Sequence, residues 1–271
     1  MLYDYQTPSK LEIITFAILP VTLMLFIEML LNHIASPMNS IFISPYLLTF
    51  FVTTIIMFIV LLKGQICAGQ YGRLIYILPF VMVFALGNFL YSIGFTPKHI
   101  PMIISMLASL FIPFLYWKVP EDQRLYRTML YLGLAIAFIG VLQYLIIYWI
   151  ELPSLFNGIR ANNFAQLMLG VLLAGWYLII AKSRLEGFLK LLVLVALIFL
   201  VFNYIWVAFV LYQQLQVMPE MQLSPYFVFF AVQFIILIML AWLLLGKSIK
   251  NPIAWTTATF LAMLYPFTNI I

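Results

Sequence analysis

The sequence predicts an all-α, polytopic transmembrane helical bundle of about nine spans, and three observations predict it. Nine apolar stretches separated by short polar breaks fill nearly all of the 271 residues. Charged residues make up 8% of the chain against 66% hydrophobic, where a soluble domain carries roughly 25% charge. The lysines and arginines fall almost entirely in alternate breaks. No polar linker or shift of composition divides the chain, so 1–271 reads as a single integral membrane domain.

Each span follows from length and polarity. A helix needs about 20 apolar residues, within a range of about 17 to 25, to cross a hydrocarbon layer about 30 Å thick. Such stretches run Ile13–Leu31, Tyr46–Leu62, Leu74–Gly94, Ile100–Trp117, Thr128–Ile150, Phe164–Ala181, Leu189–Tyr212, Pro225–Gly246 and Ile253–Ile271. A closed strand barrel would show segments of about 10 residues with alternating faces. Here both faces are apolar, which selects helices. The first stretch is full length and follows no strongly basic leader, so it is expected to stay as the first helix. The last holds Pro266 and Asn269 and reads either as a full span or as a short or re-entrant segment. Pro20, Pro79 and Pro113 interrupt spans and are expected to adjust helix packing by kinking.

Topology follows from charge. Eleven of the 13 Lys and Arg residues lie in odd-numbered breaks, at Lys10, Lys63, Arg73, Lys118, Arg124, Arg127, Lys182, Arg184, Lys190, Lys247 and Lys250. Lys98 and Arg160 are the other two. Basic residues in short loops are retained on the cytoplasmic side. The N-terminus is therefore expected inside and, after nine spans, the C-terminus outside. The net +5 is this loop excess, and it points to membrane lipids as partners and to no nucleic acid. Cys67 is a lone cysteine in a break expected in the cytosol, which excludes an intramolecular disulfide.

Glu28 is the acid well inside an apolar run. It lies about 22 Å along the helix from Ile13, in the outer part of the bilayer. An ionised carboxylate there is expensive, so it is expected to face the protein interior, a wet cavity or a partner, or to carry a proton. His33, five residues on, points about 140° away round the helix. Asn88, Gln143, Gln166, Asn203 and Gln233 are carboxamides in five other spans. Such groups in hydrocarbon usually bond one another across helix contacts. Glu28 with Asn88, Gln143, Asn203 and Gln233 forms a candidate intramembrane polar path, with structural bonding as the plainer role of each amide. Arg160 and Asn163, in the sequence GIRANNFAQ, form a candidate outer contact for an anion or lipid headgroup. Capping of the following helix is the plainer role of Asn162 or Asn163.

No metal or cofactor is expected. The chain holds only His33 and His99 with Cys67, and no CxxC or HExxH spacing, so metal and haem ligand sets are missing. Walker, Rossmann and GxSxG patterns are absent too, and an ATP-driven role would need a separate ATPase subunit.

Gly140 and Gln143, followed by Arg160, Asn163, Phe164, Ala165 and a further span, resemble the middle helices of O-antigen ligase and polymerase-type glycan enzymes. The likeness covers about thirty residues. It implies a lipid-linked glycan substrate, with Arg160 outside and Asn163 opening a helix. Those enzymes also carry a large outer loop with further basic and histidine residues, whereas the outer breaks here reach only about fourteen residues.

The leading expectation is membrane transport of a small or amphipathic solute, or a role as the membrane subunit of a transport assembly. Second is a non-catalytic membrane partner or assembly protein bound to other membrane subunits. Third is a lipid-linked glycan polymerase- or ligase-like enzyme, so catalysis is the less favoured class. The bacterial inner (cytoplasmic) membrane is the expected location.

Overall fold

The structure is a computed structural model that describes residues 10–35, 44–64, 66–95, 103–104, 106–107, 123–150, 162–246 and 249–269. Among the described residues eight helices run in order α1 Lys10–Ala35, α2 Leu47–Lys63, α3 Ala68–Phe95, α4 Gln123–Ile150, α5 Asn163–Ile180, α6 Glu186–Val217, α7 Ser224–Leu245 and α8 Pro252–Met263. A 3-10 turn follows at Tyr265–Asn269. Six of these helices, α1 and α3 to α7, are long and apolar enough to cross a membrane. The protein is an all-α polytopic membrane bundle. Of the remaining expected spans, Tyr46–Leu62 forms the 17-residue apolar helix α2, and most of Ile100–Trp117 lies outside the described residues. The ninth segment supplies only the 12-residue α8 before the 3-10 turn. At 1.5 Å per residue α8 is about 18 Å long, short of the hydrocarbon thickness.

The pair α2 and α5 forms the centre. Both are buried along most of their length. Thr49 Oγ1 donates to Gln166 O at 3.0 Å, and Thr53 Oγ1 to Gly170 O at 3.1 Å. The constant offset between these pairs makes the two helices parallel. Gly170 allows the approach: a Cβ there would stand 2.7 Å from Val52 Cβ and 3.1 Å from Thr49 O. Small residues serve membrane helices in this way because lipid provides no hydrophobic drive, leaving close backbone contact and dispersion to hold the bundle. Around this centre α4 packs on α2, α6 and α8 pack on α5, α1 packs on α3, and α7 packs on α8 and α6. Pro20 and Pro79 sit inside continuous helices.

One end of the bundle gathers the basic residues. Gln70 Nε2 donates to Lys182 O at 3.0 Å and Arg73 Nε to Ala181 O at 2.9 Å, fastening the start of α3 to the end of α5. Lys250, just before α8, pairs with Glu186 at the start of α6 at 2.7 Å. Tyr71 and Tyr126 meet edge to face, placing the start of α4 at this end as well. α3 thus ends at the opposite end from where α4 begins. The flanks are apolar and exposed, with Leu142 on α4, Ile205 on α6 and Phe234 on α7 among the outward residues. In water that surface would be untenable; against acyl chains it is matched.

Candidate functional site

At the end opposite the lysines, three central helices stop inside the bundle. α2 and α5 begin there and α8 finishes there, while α1, α3, α4, α6 and α7 run past. Helix ends leave backbone groups without intrahelical partners, and in hydrocarbon each needs another partner. The residues at this depth are accordingly polar, and they form a layer across the interior.

Glu28 anchors one side. It is 2% exposed. Ser44 Oγ donates to its Oε2 at 2.7 Å, and Asn88 Nδ2 donates to the same oxygen at 3.3 Å. Ser44 precedes α2 and its Oγ also accepts from Tyr46 N at 3.3 Å. The carboxyl is thus held between α1, α3 and the start of α2, by two neutral donors. Tyr46 and Tyr265 continue the layer toward α8: Tyr46 donates to Met263 O at 2.6 Å, Tyr265 donates to Pro45 O, and their rings meet edge to face at 6.2 Å. The end of α8 and the start of α2 are thereby tied together by two reciprocal phenol bonds.

The centre of the layer is built by Gln166 and Tyr144. Gln166 Oε1 accepts from Leu48 N at 3.0 Å, satisfying a first-turn donor of α2. Its Nε2 donates to Tyr144 Oη at 2.7 Å, and Tyr144 in turn donates to Asn163 Oδ1 at 2.8 Å. On the far side Asn162 caps α5, its Oδ1 accepting from Phe164 N and Ala165 N at 3.1 and 3.2 Å. Its Nδ2 reaches Asn203 Oδ1 on α6 at 2.5 Å. Beyond this point the satisfaction fails. Asn203 Nδ2 and both polar side-chain atoms of Gln233 are buried without a hydrogen-bond partner among the described residues.

The expected polar residues are distributed as follows among the described residues. Glu28 and Asn88 meet; Asn203 joins through Asn162; Gln143 is half-buried on α4 beside Tyr144 in sequence; Gln233 lies on α7, on its buried stripe. Asn163 meets Tyr144, and Asn162 is the cap. Arg160 and His99 lie outside the described residues. Ser44, Tyr46, Tyr144 and Tyr265 were not expected: Ser44 stands in a polar break and Tyr46 at a predicted boundary, while Tyr144 and Tyr265 lie within spans where a tyrosine reads as an ordinary apolar ring. Among the described residues no group of three or more His, Cys, Asp or Glu side chains stands together for a metal ion. At the basic end, Cys67 is exposed, and the Gln70 backbone N–H, with Arg184 and Arg73 nearby, lowers its thiol below the usual range.

A protein family described as an integral membrane domain matches residues 6–271. The chain belongs to that family. It is similar to a Haemophilus influenzae (strain ATCC 51907 / DSM 11121 / KW20 / Rd) protein described as "Uncharacterized protein", 30% identical over 200 residues that span 73% of each chain. No solved structure matches.

Proposed function

We propose that this integral membrane protein transports a small or amphipathic solute, alone or as the membrane subunit of a transport assembly, and that Glu28 exchanges a proton during turnover. The observation that carries the reading is the setting of Glu28. Among the described residues this buried carboxyl is held by a hydroxyl and an amide, which are donors for its ionised form, and by no fixed cation. Ion pairs lock an acid in one state, whereas neutral donors leave both states accessible. Intramembrane acids that face a bundle interior are the usual components of proton relays.

With nine spans and the basic end in the cytoplasm, as the charge bias directs, the polar layer stands in the outer leaflet of a bacterial inner membrane. Arg160, two residues before Asn162, then contacts an anion or headgroup at the outer side together with the start of α5. The solute is identified by the test itself. Proteoliposomes of the full chain are given a whole-cell extract under an imposed pH gradient, and their contents are compared by mass spectrometry with those of empty vesicles. At least one component should accumulate with the wild type, follow the gradient, and fail to accumulate with Glu28→Gln. Contents equal to those of empty vesicles count against transport by this chain alone.

A second reading, a non-catalytic membrane partner, draws on the mutual bonding of Glu28, Ser44 and Asn88, which resembles interhelical glue. It predicts that a stoichiometric membrane subunit copurifies in mild detergent and that Glu28→Gln leaves the assembly intact. For the glycan-enzyme reading, the meeting of Tyr144 with Asn163 brings together the two helix ends that carry the likeness, but adds no catalytic group. A lipid-linked sugar copurifying with the chain is the result that would favour it.

A further inference from the structure

The unsatisfied end of the polar layer points to a ligand. Asn203 and Gln233 are both 0% exposed, and three of their four polar side-chain atoms lack a partner among the described residues. Two bonds fix the register between α6 and α7: Tyr226 donates to Gln214 Oε1, and Tyr204 donates to Phe230 O at 3.2 Å. In this antiparallel register Gln233 stands opposite the stretch from Val201 to Val207, which centres within a turn of Asn203. Asn203 is fixed independently, because its Oδ1 is held by Asn162 at the N-terminus of α5. The orphaned groups therefore lie at one depth, Asn203 beside the start of α5 and Gln233 on the buried stripe of the neighbouring α7.

An orphaned buried amide costs on the order of 1–3 kcal/mol, and proteins keep such groups where something else completes them. Their chemistry restricts the occupant. Asn203 Nδ2 and Gln233 Nε2 require acceptors, and Gln233 Oε1 requires a donor. A phosphate or carboxylate offers acceptors alone and would leave Gln233 Oε1 facing negative charge. A hydroxyl both donates and accepts, and two adjacent hydroxyls satisfy all three atoms. Asn203 is about 21 Å along α6 from Leu189, below the membrane boundary, so the occupant must carry its hydroxyls into the apolar layer. The rings of Phe164, Phe202 and Trp206 meet where the start of α5 packs on α6 and offer flat apolar faces of the kind that pack on C–H-rich rings.

We propose that Asn203 and Gln233 bind the hydroxyl-bearing head of an amphipathic polyol, which is the substrate class of the transport reading and rests on it. The probe is octyl glucoside, at low mole fraction in nanodiscs holding the full chain. Octylphosphocholine, with acceptors and no hydroxyl, is the comparison. Octyl glucoside should raise Tm saturably in the wild type, and Gln233→Met should weaken that response about 10-fold, as expected for a lost hydrogen-bonded pair, without lowering Tm in its absence. A photoactivatable octyl glucoside should label wild-type peptides around Asn203 and Gln233. Equal responses in wild type and Gln233→Met, a stronger response to octylphosphocholine, or labelling confined to other helices would overturn the site. Glu28→Gln should keep the glucoside response while losing pH-driven accumulation. Loss of the glucoside response with pH-driven accumulation intact would remove the polyol site and leave the transport reading standing.

Discussion

Glu28 shows how one residue can be read from sequence and still be incompletely understood from it. An acid within an apolar run stands out without any structure, because hydrocarbon does not tolerate it unpartnered. Its partners do not stand out. Ser44 and Asn88 lie 16 and 60 positions away, and Ser44 reads as an ordinary loop serine until the chain turns back into α2. Gln166 and Tyr144 follow the same pattern: the amide is visible as a polar residue in a span, whereas its bond to the first turn of α2 exists only in the fold. Ser44→Ala removes a hydrogen bond to a carboxyl and should cost about 1–3 kcal/mol, read as a lower Tm in a fixed detergent. Glu28→Gln preserves size and bonding capacity and should unfold near the wild-type temperature while abolishing pH-driven accumulation. A large drop in Tm with Glu28→Gln would instead make the acid a structural brace.

At the scale of the helix, hydropathy locates apolar stretches well because the signal is local. It does not show depth. The short helices α2, α5 and α8 look in sequence like their longer neighbours, yet all three end within the bundle and create the polar layer between them. The warning is present for the last segment in Pro266 and Asn269, and absent for α2 and α5, whose first turns lie beside breaks of ordinary composition. The contact between α2 and α5 is correspondingly sensitive. Gly170→Ala inserts a Cβ against Val52 and the Thr49 carbonyl and should destabilise by about 1–3 kcal/mol through overpacking. Asn162→Ala uncaps α5 and should cost about 1 kcal/mol; it also releases Asn203. Asn163→Ala forfeits, among the described residues, the Tyr144 bond alone, so its effect should be smaller. Thermal unfolding of the three variants in one detergent checks the order, and a harmless Gly170→Ala would show that α2 and α5 do not touch backbone to backbone.

For the whole molecule, Arg73, Lys182 and Lys250 lie at one end of the bundle and the polar layer lies toward the other. The native chain carries its own probe of which side is which. Cys67 is exposed at the basic end with a thiol lowered below its usual range, and thiolate is the reactive form. An impermeant maleimide should spare it in intact cells and label it after the cells are opened. Its labelling rate should reach half-maximum at a lower pH than that of an ordinary thiol, because a depressed thiol is already ionised there. Labelling in intact cells would reverse the orientation and place the polar layer in the inner leaflet.

Infrared difference spectroscopy of the reconstituted chain reads whether Glu28 changes protonation within the folded protein, as proposed. With the bathing pH cycled, the wild type should show a protonated-carboxyl band that appears and bleaches reversibly and shifts on exchange into deuterium oxide. The band should be missing from Glu28→Gln. A band that is unchanged by the substitution, or a Glu28 carboxyl fixed in one form across the whole cycle, would contradict the account.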